Sequence, residues 1–170
     1  AIIEEVKKEL LEQGHSFAGT IEIGAMIEIP SAALIAGALA QEVDFFSIGT
    51  NDLVQYTLAA DRTNERVAHL ASHYHPAVLK LIDMTAKAAH AKGIPVGVCG
   101  EAAADSLFIP FLVGVGIDEL SVAAGSVLLT KEAVGKCVKE EVAGLAEKLL
   151  YLKSAAEVME ELTAFQQGKS

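Results

Sequence analysis

Five residues stand where an apolar run gives way to polar chain, and their types could do chemistry: Glu28, Asn51, Asp52, Arg62 and Cys99. Glu28 closes the run that begins at Ile21 and precedes Pro30, while Asn51 and Asp52 follow Asp44-Phe45-Phe46-Ser47-Ile48-Gly49-Thr50. An ionised carboxylate at the end of an apolar strand is costly unless it is paired or bound to a cation. Two such oxygen donors, projecting from neighbouring strands, leave most of an octahedral shell open, which suits a Mg²⁺ ion that keeps its waters and takes a phosphate oxygen. A helix cap at Asp52 and a salt bridge for Glu28 would use the same residues.

Thr50-Asn51-Asp52 begins a stretch with helical spacing, and the free backbone N–H groups of a helix start attract anions. Arg62 lies in the polar loop beyond, where a guanidinium can fork onto phosphate oxygens, although a loop arginine is more often a solvated surface charge. Cys99 ends Gly97-Val98-Cys99. A free cysteine is usually a small buried hydrophobe, but a thiol is mostly protonated at neutral pH and can give its proton to a carbanion. Cys137, among Val and Lys on a helix, reads as structural. His69, His73 and His75 crowd together, yet with His90 they lack the two-histidine spacing of a zinc hydrolase helix. They read as loop and helix-surface residues, as does His15.

The elements that must position these residues alternate. Residues 1–13 form an amphipathic helix stopped by Gly14. Ile21 to about Glu28 is a β-branched strand, and Ser31 to Glu42 an Ala/Leu-rich helix. Asp44 to Gly49 is the second strand and Leu53 to Ala59 a helix, broken by the turn-prone Asp61 to Glu65. A helix from Pro76 to Lys92, with Gly93 as its stop, leads to a strand over Ile94 to Val98. Ser106 to Val115 is a short helix and Glu119 to Val122 a fourth strand. The remainder is helix, interrupted near Leu152 to Ser154. Four strand–helix units imply an α/β fold with a parallel sheet and right-handed crossovers, and they suit half of a (β/α)8 barrel.

The chain has 170 residues, 52% of them hydrophobic, enough for one sizeable core in a single domain over residues 1–170 without an internal boundary. Its mean hydropathy is +0.39, but no uninterrupted apolar run reaches the roughly 18 to 20 residues of a membrane span. A net charge of −10 argues against nucleic acid, which calls for clustered Lys and Arg. Two cysteines in unlike settings and no signal segment point to a reducing cytoplasm. The chain opens in a helical pattern without Met or a cap, and so reads as a piece of something longer.

Gly49-Thr50-Asn51-Asp52-Leu53-Val54-Gln55-Tyr56-Thr57-Leu58-Ala59-Ala60-Asp61-Arg62 resembles a segment of the phosphoenolpyruvate (PEP)-utilising enzymes. Its continuation after Gln55 is similar to that of the bacterial phosphoenolpyruvate-protein phosphotransferases, enzyme I of the sugar phosphotransferase system. The resemblance covers nearly the whole chain and implies the last four β/α units of the family's (β/α)8 barrel. It implies Mg²⁺, or Mn²⁺, on Glu28 and Asp52. It also implies substrate contacts from Asn51, Asp52 and Arg62, and Cys99 as the residue that protonates the enolate as pyruvate forms. Partners implied are phosphoenolpyruvate and pyruvate, a second copy in a homodimer, and a histidine-bearing phosphocarrier protein reached through an amino-terminal region outside this chain. The family's first four strands, with two further arginines, and its phosphoacceptor histidine also lie outside.

Two stretches depart from the pattern. Ala104 stands where the family has Gly in Gly100-Glu101-Ala102-Ala103-Ala104-Asp105, and Ala123-Ala124-Gly125-Ser126 differs from the usual loop after the last strand. A fragment of pyruvate phosphate dikinase or PEP synthase would use the same metal site, and a catalytically silent dimerisation scaffold would use none of it.

Overall fold

The computed structural model describes residues 2–168. Helix α1 (Ile2–Glu12) ends at Gly14, whose φ of 75° is a left-handed turn that glycine adopts without strain. Strand β1 (Gly24–Ile27) is followed by two short helices, α2 (Pro30–Leu34) and α3 (Ala36–Leu39). Strand β2 (Phe45–Gly49) runs directly into α4 (Thr50–Leu58). A 3₁₀ turn at Ala68–Leu70 leads to the long α5 (Pro76–Lys92) and to β3 (Val96–Cys99). Then come α6 (Glu101–Ala104), α7 (Ile109–Gly114), β4 (Glu119–Ser121), α8 (Val127–Gly135), α9 (Lys139–Leu149) and α10 (Ala155–Gln167).

The strands form one sheet in the order β1-β2-β3-β4, every pair parallel. Among the described residues β1 and β4 each keep one edge unpaired. Alternation along the strands separates two faces. Ile27, Phe46, Ile48, Val96 and Val98 are buried against the helices, where Val78, Leu79, Ile82, Phe108 and Phe111 complete the core. The opposite face carries Met26, Ser47, Gly97 and Glu119 in one cross-strand row, and Gly49, Cys99 and Ser121 in the next. Met26 on that face is 49% exposed. No helix of the described residues is long and apolar enough to cross a membrane.

Several boundaries differ from the sequence expectation. β1 starts at Gly24 rather than Ile21: Asp44 instead receives the Ile23 N–H on its carboxylate at 2.8 Å and gives its own N–H to the Ile23 carbonyl. The helix expected over Ser31 to Glu42 is interrupted at Ile35, which leaves the helical region at φ −104°, ψ 16°. α4 opens at Thr50, three residues before its apolar spacing begins. α7 opens at Ile109, with Asp105 accepting the Phe108 and Ile109 N–H groups on its backbone carbonyl. The last helical stretch is broken at residues 136–138 as well as at Ser154, so Cys137 lies just beyond a helix rather than on it; its thiol donates to the Ala133 carbonyl at 3.4 Å.

Helix α7 packs closely against α9 at Gly114. A Cβ there would lie 2.2 Å from the Val142 carbonyl oxygen and 2.8 Å from Ala146 Cβ. Gly114→Ala is therefore expected to destabilise the fold by about 2 kcal/mol through overpacking. Gly144→Ala, in the same helix pair but with nothing near its new methyl, is expected to be neutral or stabilising by up to about 1 kcal/mol. Urea midpoints of the two variants check this; equal midpoints would mean that the helices are not in backbone contact at Gly114.

Candidate functional site

The carboxyl ends of β2 and β3 are joined by side chains from the turns that follow them. Thr50, the first residue of α4, donates its hydroxyl to the Cys99 carbonyl at 2.7 Å, and Asn51 Oδ1 accepts the Glu101 N–H at 3.1 Å. These contacts need Gly100: its φ is 95°, and a Cβ on it would lie 2.5 Å from Thr50 Oγ1 and 2.9 Å from Asn51 Oδ1. Cys99 is half-buried on the open face of the sheet, and the Ser47 hydroxyl points to its sulfur at 3.9 Å.

Glu28 lies one residue past β1, beside the end of β2, with Oε2 3.2 Å from the position a Cβ on Gly49 would take. Asp52 is the third residue of α4, not the end of a strand. Neither alternative role is taken up. The residue before α4 is Gly49, which has no side chain to cap it, and among the described residues no Lys or Arg pairs with Glu28. Asp52 instead faces Arg62, whose Nη2 is 4.0 Å from Oδ1. With both side chains partly exposed this pair contributes little to stability.

Arg62 is brought back over α4 by its loop. The helix ends with Ala59 in a left-handed conformation, φ 52°, and Gln55 Oε1 accepts the Arg62 N–H at 3.3 Å. Asp61 accepts both the N–H and the hydroxyl of Thr63 at 2.8 Å, and these bonds, the backbone one first, hold its carboxyl below the usual range. The loop is thereby folded on itself, and it leaves a cavity of about 480 Å³ lined by Asn51, Arg62, Thr63, His73 and Glu101 among others. A larger cavity, about 980 Å³, lies between α8 and α10 and includes none of the five predicted site residues. Placement of chemistry, not size, favours the smaller one.

The structure thus gathers Asn51 and Arg62 on one cavity wall, Asp52 beside Arg62, and Glu28 and Cys99 at the ends of flanking strands. Sequence reasoning missed Ser47, Gln55 and Glu101, whose parts depend on contacts across strands or turns. His73 and His75 lie in the loop before α5, as read from the sequence, but each has a partner that the sequence did not reveal. His75 Nδ1 caps α5 by accepting the Ala77 N–H at 3.1 Å. The His73 side chain is only 22% exposed, with Nε2 2.8 Å from Asp105 Oδ2. His90 is exposed and pairs with Asp118 at 3.1 Å.

Among the described residues no group of three or more His, Cys, Asp and Glu could hold a metal ion. The two carboxylates that the sequence singles out, Glu28 and Asp52, offer oxygen donors and neither a thiolate nor an imidazole. That donor set fits Mg²⁺, which is commonly held by one or two carboxylates together with waters and a substrate phosphate.

The family model described as PEP-utilising enzyme, PEP-binding domain matches residues 1–138. Over 159 residues, 94% of the chain, the sequence is 49% identical to the phosphoenolpyruvate-protein phosphotransferase of Bacillus subtilis (strain 168) and 52% identical to that of Geobacillus stearothermophilus. Over 163 residues, 96% of the chain, it is 48% identical to the protein of that name from Lactococcus lactis subsp. lactis. The chain spans 28% of the length of each of these relatives.

Proposed function

Since the chain belongs to the PEP-utilising enzymes and carries their PEP-binding domain, we propose that it is the substrate-binding part of a phosphoenolpyruvate-protein phosphotransferase. The reaction would move the phosphoryl group of phosphoenolpyruvate to a protein histidine and release pyruvate. The observation that carries this reading is the convergence of Asn51, Arg62 and the start of α4 on one cavity, in a chain about half identical to proteins so named.

In this reading Arg62 and the free N–H groups at Thr50 and Asn51 bind phosphate oxygens, and Asn51, tied to the Glu101 N–H, is held in place to orient the substrate. Glu28 and Asp52 would hold Mg²⁺ or Mn²⁺. A divalent cation there supplies charge neutralisation on the phosphoryl and carboxylate oxygens. The bridging P–O bond breaks as a histidine outside this chain forms a P–N bond, and the leaving enolate takes a proton on its methylene carbon from Cys99. The thiolate left behind recovers its proton from solvent.

We also propose that the sheet is the second half of a (β/α)8 barrel and that residues 1–170 form the carboxyl-terminal part of that domain. Parallel sheets are almost always covered on both faces. Here one face is open and two edges are unpaired, which is what a second set of four strands would cover. A homodimer is supported by apolar side chains left outside the core, Leu128 80% exposed and Leu129 beside it. The same reading gives the full-length protein a histidine-bearing phosphocarrier as partner, a part in sugar uptake and a cytoplasmic setting.

Titration with phosphoenolpyruvate, with and without Mg²⁺, tests the reading on wild-type protein and on Arg62→Ala. Metal-dependent binding that weakens roughly tenfold or more in the variant is expected, since a charge-assisted pair is lost. Absence of binding in both would leave a dimerisation scaffold as the better account.

A further inference from the structure

His73 stands on the wall of the cavity that holds Asn51 and Arg62, and it is fixed from behind. Its Nε2 meets Asp105 Oδ2 at 2.8 Å, and its ring contacts Tyr74 and Phe108 at centroid distances of 4.3 and 4.9 Å. Tyr74 donates its hydroxyl to the same carboxylate oxygen, and Asp105 Oδ1 accepts the Leu107 N–H at 2.9 Å. Burial alone would raise the Asp105 carboxyl, but the bonds from His73, Tyr74 and Leu107 outweigh it and hold it below its ordinary value. Burial, then the bond to Asp105, pushes the Tyr74 phenol well above its ordinary value, so it remains a donor.

An ionised Asp105 can only accept, so Nε2 carries a proton. The other ring nitrogen is then an acceptor in the neutral ring and a second donor in the imidazolium. The groups around the ring are Asp105 behind it, Tyr74 on its own loop, and Arg62 and Glu101 among the residues that line the cavity. Arg62 and Glu101 offset each other, and Arg62 is further shared with Asp52. Among the described residues that line the cavity, Arg62 carries a fixed positive charge and Glu101 a negative one, and a protonated His73 would add a second cationic donor for an anion bearing both phosphate and carboxylate.

We propose that His73, as an imidazolium countered by Asp105, is a further binding residue for the anionic substrate, donating from the ring nitrogen that Asp105 leaves unused. The proposal rests on the reading of this cavity as the phosphoenolpyruvate site. Its signature is a pH dependence. Binding an anion favours the protonated ring, so the contribution is present at low pH and fades as an imidazolium gives way to the neutral ring.

The test compares phosphoenolpyruvate affinity, with Mg²⁺ present, for wild type and H73Q between about pH 5.5 and about pH 8.5, in the full-length protein that carries this sequence. The ratio of the two dissociation constants cancels the substrate's own ionisation. It is expected to be roughly tenfold at the acid end and to approach one at the alkaline end. Calorimetry in buffers of different ionisation enthalpy should show the wild type taking up more protons on binding than H73Q does. Should H73Q fold poorly, His73→Asn gives the same comparison with a smaller polar side chain. A ratio that does not change with pH, with equal proton uptake, would overturn the proposal while leaving the cavity's assignment standing. No binding by wild type would overturn both.

Discussion

In the full-length protein, Cys99→Ala is expected to slow pyruvate formation by a factor on the order of 100 to 10,000 while leaving phosphoenolpyruvate and Mg²⁺ affinity within about twofold. The split follows from the position of the thiol. Thr50 binds the Cys99 carbonyl, not its side chain, so the link between β3 and α4 survives the substitution. The lost group is a thiol on the open face, and the Ser47 hydroxyl points to its sulfur at 3.9 Å. Rapid quench separates the steps: histidine phosphorylation should still occur, and the enolate should accumulate behind it. Pyruvate formation at the wild-type rate would return Cys99 to a structural role.

Asp52→Ala is expected to abolish the metal dependence of substrate binding. Metal and substrate that share a site strengthen each other reciprocally, typically by about 5- to 150-fold, and that coupling should vanish with one of two ligands gone. Metal-free affinity should move the other way or hold steady, because Arg62 loses its acidic neighbour at 4.0 Å and becomes more available to phosphate. Calorimetry with Mg²⁺ and with chelator reads both quantities. If Mg²⁺ tightens binding equally in wild type and variant, Asp52 is not a ligand.

What was legible in the sequence were features set by local chemistry. The α5 helix runs from Pro76 to Lys92 as predicted, because proline fits a first turn and Gly93, at φ 72°, ends it in a left-handed cap. The break near Ser154 was equally readable, since its hydroxyl accepts the Glu157 N–H at 3.2 Å. Gly49-Thr50-Asn51-Asp52 marked a strand end because the apolar run stops there and helical spacing begins. Less legible were features that depend on distant partners. Ile21 to Ile23 have strand propensity, but register with β2 begins only at Gly24 opposite Phe45. Glu101 to Ala104 looked like the tail of a motif and is a helical turn held against α4. His73 lies in a loop as read, but its pairing with Asp105 was not legible because that partner is 32 residues away. Spacing along the chain carries no trace of such a contact.

The order of strands in the sheet is also their order in the chain. On a ribosome the chain emerges from its amino-terminal end, at about 5 to 20 residues per second. Each strand of this sheet therefore meets a neighbour that has already been made, and no strand must wait for a later one to be inserted between it and its partner. β1 and α2 can offer a template to β2, the pair to β3, and so on, while α9 and α10 close over the far end last. A pause in translation just after Lys92 would leave β2's next edge open until β3 is made. Codon changes that slow synthesis there should lower soluble yield more than equal delays placed after Leu149, where all four strands are already paired.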